Sequence, residues 1–228
     1  MEPDKTSHFL RKVEDLCEKA RDKNTAAGQK AYMRDQFPFF GIKTPARRAI
    51  QRQLFQKELL PPRGDLTLLV RALWEKEERE SQYIAQELAK KLSRSPQPDD
   101  HALYKYMITH KSWWDTVDFI AIQLVGPYFK AFPEKRDEVT EGWMNSGNIW
   151  LQRSVLLFQL KYKKELDTAF LARTIVRLLG SREFFINKAI GWVLREYSKT
   201  NGDWVGRFAQ ATPLEPLSKR EALRLLSA

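Results

Sequence analysis

Two tryptophans and two carboxylates fall within one short stretch, Trp113-Trp114-Asp115-Thr116-Val117-Asp118, just behind Lys111 and Ser112. Ser112 with Asp115 three residues on has the form of a capping box, which predicts a helix over about 112–126. On that helix Trp113, Val117, Ile120 and Leu124 recur with the spacing of an apolar stripe facing a core. Trp114 and Asp118 are four apart and lie one above the other, beside the stripe. An indole offers a flat apolar surface to a sugar or a base. A carboxylate stabilises positive charge that develops in a transition state. The plain structural reading stands next to these: a half-buried indole, and an acid in the early turns where the helix dipole favours negative charge.

The elements that must position these residues read as helical nearly throughout. Helices are predicted over about 6–21, 26–35, from Thr44-Pro45 onward, 65–75, 78–93, 99–109, 112–126, 134–144, 148–162, 168–179, 182–199 and 218–227. Thr44 reads as an N-cap with proline at the first helical position. Breaks are expected at Pro61-Pro62-Arg63-Gly64, Ser95-Pro96-Gln97-Pro98, Phe132-Pro133, Ser146-Gly147, Gly180-Ser181 and Asn201-Gly202. No strand is predicted.

The chain also repeats. Gln82, Val117, Gln152 and Asn187 stand one equal step apart. The same step from Ile50 gives Ala85, Ile120, Val155 and Ile190, all apolar, and from Leu73 it gives Ile108, Trp143 and Leu178. A fixed period of about 35 residues, one helix pair per period, marks an α-solenoid of the HEAT or armadillo kind. The expected fold is therefore all-α: stacked antiparallel helix pairs with a concave basic face, forming a single domain over 1–228.

One residue past Gln82 the column reads Arg48, Tyr83, Asp118, Arg153, Lys188. Equivalent positions on successive repeats line one face, so Asp118 is expected beside Arg153, with Lys188 one repeat further. Lys188, Trp192, Arg195 and Lys199 form a basic stripe with an indole in it, while Ile186, Ile190, Val193 and Tyr197 form the core stripe of the same helix. The formal charge of +10 points to a polyanion. Cations on such a face can neutralise phosphates. A carboxylate there opposes polyanion binding, and two explanations remain open. Asp118 either pairs structurally with Arg153 or stabilises an oxocarbenium-like sugar during hydrolysis at an anomeric carbon.

Other chemistries are disfavoured. The single cysteine, Cys17, excludes an internal disulfide and sits in an apolar periodic segment, where a buried structural thiol is expected. His8, His101 and His110 have no metal-ligand spacing. The N-terminus lacks a signal-peptide pattern, and no apolar run is long enough to span a membrane. The expectation is an intracellular, cytoplasmic protein that associates with the nucleoid when bound to DNA. Trp74, Trp113, Trp143 and Trp150 are expected in the core and Trp204 as a late packing residue. Glu75–Glu80 reads as a charged turn without chemistry, and Arg47-Arg48 as a solvated face or a DNA contact with equal weight.

The sequence resembles the HEAT-like-repeat alkylpurine DNA glycosylases, the AlkD family. The matching segments include Tyr32-Met33, Phe37-x-Phe39-x-Gly41-Ile42, Pro45-x-Arg47-Arg48, Lys111 to Asp118, Asn148 to Arg153, Phe158 to Tyr162, Phe184-Phe185-Ile186, Ala189 to Tyr197 and Leu217 to Ala222. The resemblance implies that Asp118 is the catalytic carboxylate. It implies that Trp114 and Trp192 hold the sugar and backbone of the lesion nucleotide, with Tyr32 nearby. Arg153, Lys161, Lys188 and Arg195 would bind DNA phosphates. The reaction implied is monofunctional removal of N3- or N7-alkylated purines from double-stranded DNA, without flipping the base into a pocket and without metal or cofactor. A monomer is expected. The rival is a non-catalytic α-solenoid that binds nucleic acid or protein, since fold alone does not settle function.

Overall fold

A computed structural model of the chain describes residues 5–226. Every regular element among them is helical. The chain packs as two compact units, residues 1–95 and 96–228.

In the first unit, α1 (Lys5–Lys19), α2 (Lys23–Tyr32), α3 (Thr44–Leu54), α4 (Leu66–Glu75) and α5 (Arg79–Leu92) follow in order. The helix predicted from Thr44 begins there, but Lys43 occupies the cap without a side-chain bond, so Thr44 does not act as the N-cap. α1 packs on α3 and α4, and α4 and α5 form a hairpin. Val13 and Cys17 of α1 are buried, and burial pushes the Cys17 thiol up to about 12, which keeps it an inert core side chain. Glu80, read from the sequence as part of a charged turn and helix start, is fully buried. Its carboxylate accepts from the backbone N–H groups of Phe40 (2.9 Å), Gly41 (3.0 Å) and Ile42 (2.9 Å). Gly41 is obligatory in that loop: its φ is +90°, and a Cβ there would lie 2.0 Å from the Asp22 carbonyl oxygen.

The second unit contains α6 (Asp100–Thr109), α7 (Trp114–Ile120), α8 (Gly126–Ala131), α9 (Arg136–Asn145), α10 (Ile149–Leu157), α11 (Thr168–Arg177), α12 (Phe184–Ser198), α13 (Gly202–Ala211) and α14 (Pro216–Leu223). A π-helical turn, Ala121–Val125, joins α7 to α8, so the helix runs past the predicted stop at 126. Pro127 has no N–H to donate and its ring crowds the preceding turn, and the wider π turn accommodates it. Side chains cap three helix starts in this unit: Asn148 accepts from Trp150 and Leu151, Asp167 from Phe170, and Asn201 from Trp204.

The repeat is physical. The columns Ile50, Ala85, Ile120, Val155, Ile190 and Leu73, Ile108, Trp143, Leu178 are buried at every position. The column of carboxamides has a common task. Gln82 Nε2 donates to the Trp74 and Lys76 carbonyls, Gln152 Nε2 to Met144, and Asn187 Nδ2 to Ser181. Gln82 and Gln152 satisfy carbonyls at the C-terminal end of the preceding helix, and Asn187 satisfies one in the loop that follows it. Val117 cannot do this, and at that repeat the Ser112 hydroxyl donates to the Ile108 carbonyl at 2.6 Å. Ser112 thus closes α6 instead of capping α7, whose N-cap residue is Trp113 with no side-chain bond.

The segment 202–211, where a break at Asn201-Gly202 and no helix were predicted, is the helix α13. Trp113 and Trp150 are half-buried and do not join the core. They pack on each other and on Phe185, with centroids 4.9–5.7 Å apart. Trp74 and Trp143 are buried as expected, and Trp204 stacks on Phe208.

Candidate functional site

Asp118 lies in the middle of α7, one turn past Trp114, because the two are four residues apart on a helix. Val117 and Ile120 on the same helix are buried. They fix its rotation and leave Trp114 and Asp118 at the edge of the packed face, both half-buried. α7 packs on α10 and α10 on α12. That order carries Arg153 to Asp118 as a two-pronged donor: Nε to Oδ1 at 2.7 Å and the terminal nitrogen to Oδ2 at 2.8 Å. The remaining prong of the guanidinium bonds the Phe185 carbonyl of α12. One arginine therefore ties three consecutive layers of the stack. Its side chain is 4% exposed and that of Asp118 13% exposed.

Burial raises the Asp118 carboxyl above its ordinary value, and Arg153 opposes that rise. Both oxygens accept from Arg153, a charge-assisted two-pronged pair that favours the ionised form. Each oxygen keeps a second lone pair. The arrangement presents a fixed anion with an open edge beside an indole.

α12 carries the second set. Ile186, Ile190, Val193 and Tyr197 are buried, whereas Lys188, Trp192 and Arg195 are half-buried and Lys199 is exposed. The two stripes read from the sequence are thus separate faces of one helix. The basic residues on it are not free. Lys188 Nζ pairs with Glu221 Oε1 at 2.8 Å, and Arg195 pairs with the other oxygen of Glu221. Lys161 Nζ pairs with Glu196 at 3.0 Å. Lys188 beside Glu221 holds its carboxyl below the usual glutamate value. Glu221 and Glu196 went unnoticed in the sequence. The 35-residue step from Lys161 to Glu196, the same step that joins Asp118 to Arg153, was a signal that could have found the second of them.

Glu221 arrives by close packing. α14 lies against α12 where Gly191 stands, and a Cβ at Gly191 would meet the Glu221 Cβ at 2.5 Å and the Ser218 carbonyl at 3.0 Å. The Ser218 hydroxyl donates to the Asn187 carbonyl at 2.9 Å. Tyr32 sits in the first unit at the end of α2 and is 71% exposed. Among the described residues, no group of three or more His, Cys, Asp or Glu side chains gathers as a metal cluster. No helix among them is long and apolar enough to cross a membrane.

The fold and this site define an all-helical repeat protein that presents a guanidinium-clamped carboxylate between indole-bearing helices. The chain belongs to the DNA alkylation repair enzyme family, whose model matches residues 13–226. It is also similar to a solved structure described as a predicted DNA alkylation repair enzyme from Enterococcus faecalis. The two are 33% identical, with a TM-score of 0.84 over 91% of this chain and 97% of that one. No curated protein matches the chain.

Proposed function

We propose that the protein is a monofunctional DNA glycosylase that hydrolyses the N-glycosidic bond of cationic N3- or N7-alkylated purines in duplex DNA. The observation that carries this reading is Asp118, clamped by Arg153 through both oxygens one helical turn from Trp114. In a basic protein, such an anion opposes DNA binding and gains a purpose if cationic sugar character develops next to it. The bond from the sugar C1′ to the purine nitrogen breaks, and its electron pair goes to the base. Because alkylation has already made the base cationic, it departs neutral and needs no proton. Asp118 stabilises the positive sugar until water adds at C1′ and loses its proton, leaving an abasic site.

Trp114 and Trp192 contact the sugar and backbone of the lesion nucleotide, and Tyr32 contributes from α2. Arg153, Lys161, Lys188 and Arg195 approach phosphates. The last three do so while held by Glu196 and Glu221, which fix long side chains but reduce the charge each offers. The reading needs no base-sized pocket and hence no flipped base, in contrast to the usual glycosylase strategy. It takes the chain as one functional domain, a monomer, acting inside the cell on DNA.

The test is single-turnover release of 7-methylguanine by the parent and by Asp118→Asn, with folding and affinity for undamaged DNA measured on the same preparations. Loss of one electrostatic stabiliser lowers such rates by roughly a hundred- to a thousand-fold. Affinity is expected to hold or to tighten. A folded Asp118→Asn protein that excises at the parent rate would leave Asp118 as a structural partner of Arg153 and favour a lesion-binding scaffold.

A further inference from the structure

Within the first unit, a cleft of about 590 Å³ opens between α3 and α5. Arg48, Arg52 and Lys91 line it, with Gln51 and a single carboxylate, Glu87. Among the described residues, none of these three cations has an ion pair, in contrast to Arg153, Lys161, Lys188 and Arg195. Gln51 is 6% exposed, and its Nε2 is shielded from solvent without a hydrogen-bond acceptor. A buried donor without an acceptor is unfavourable, and native structures keep few of them. Beside it Arg47 stacks on Tyr83, with its guanidinium carbon 4.4 Å from the ring centroid, and its buried Nε also lacks a partner.

We propose that this cleft is a phosphate-binding site that grips the backbone of the duplex, and that it contributes more of the counterion release than the paired cations of the second unit. Three unpaired cations against one carboxylate favour an anion. Counterion release counts phosphates neutralised. A lysine already shared with a glutamate neutralises only part of a phosphate, whereas Arg48, Arg52 and Lys91 offer full charges. The inference rests on the reading that DNA is the partner and adds where the chain holds it.

The experiment measures affinity of the full chain for an undamaged duplex against salt. Each full contact contributes a slope of about −0.9 in log K against log salt. Arg52→Ala with Lys91→Ala is expected to make the slope shallower by about two units, and Lys188→Ala by less than one. Both cleft side chains reach solvent and bond nothing, so folding should survive. Lys91→Gln alone, expected to lose about one unit, serves as the second variant. A parental slope in folded cleft variants overturns the proposal. Titration with inorganic phosphate separates the sources: heat of binding that is lost in the double variant while the DNA slope stays parental assigns the cleft to free phosphate and also overturns it. Binding to undamaged DNA does not depend on excision. A chain that shows these slopes yet releases no alkylated base refutes the glycosylase reading alone.

Discussion

The Asp118–Arg153 pair sets a conflict between stability and chemistry that single substitutions can resolve. Arg153 is 4% exposed, and its guanidinium is shared between Asp118 and the Phe185 carbonyl. Removing one partner of a buried pair leaves an uncompensated charge, which costs about 3–5 kcal/mol. Arg153→Ala is therefore expected to lower the urea midpoint sharply, while Asp118→Asn, whose amide oxygen still accepts a bond, should lower it less. Equal midpoints for parent and Arg153→Ala would mean that the pair contributes nothing to the fold. The pH profile reports on the same carboxylate. Burial raises Asp118 above its ordinary value, and the proposed reaction uses the ionised form. Single-turnover excision should therefore fall on acidification at a pH above the usual aspartate value of about 3.9. That limb should vanish in Asp118→Asn, and an unchanged limb would assign it to another group. The pairing itself was legible in the sequence, since a 35-residue step set Asp118 against Arg153. The Phe185 carbonyl was not, because backbone acceptors leave no trace in side-chain spacing.

α14 acts on the site through its packing against α12. Its contact depends on Gly191, and it delivers Glu221 to both Lys188 and Arg195. In an isolated helix Gly→Ala adds about 1 kcal/mol of helix stability. Here the added carbon would fall 2.5 Å from the Glu221 Cβ, and overpacking costs about 1–3 kcal/mol. Gly191→Ala is expected to lower the melting temperature and to raise hydrogen exchange in α14. It should also release Lys188 and Arg195, so that DNA binding becomes more salt-dependent. Protection of α14 equal to the parent would show that the contact yields without cost.

Helices were easiest to place from the sequence where burial enforces a period, as on α12, whose two stripes fall on opposite classes of exposure. α13 escaped because Asn201-Gly202 reads as a stop, yet Asn201 is the cap of the next helix and accepts from Trp204. Ser112 misled for a related reason: a hydroxyl between two helices can close the first or open the second, and here it donates backward to Ile108. The carboxamide column was visible as a repeat, but its bonds to carbonyls at the end of the preceding helix or in the loop after it emerge only from packing.

Across the whole molecule, charge and chemistry fall to different residues. In the proposed reading the +10 surplus draws a duplex without regard to damage, so that this part of the affinity does not select the substrate. Selection then has to come from the reaction. A neutral base leaves readily only if a group protonates it, and such a group must carry a proton at working pH. Asp118 acts in the proposed reaction as an anion, favoured by its pair with Arg153, and so is not that donor. Lys188 and Arg195 are turned to Glu221, which engages both. On the proposed mechanism the leaving base brings its own positive charge, as N3- and N7-alkylated purines do. Duplexes of identical sequence, each with one 7-methylguanine, hypoxanthine, uracil or 8-oxoguanine, are expected to bind with similar affinity and similar salt dependence. Only the first should give alkali-labile abasic sites at an appreciable rate. Lowering the salt should tighten all four complexes together and leave the order of release unchanged. Release of any neutral base at a rate comparable to 7-methylguanine would reveal a proton donor and remove Asp118 from its place as sole electrostatic partner of the reacting sugar.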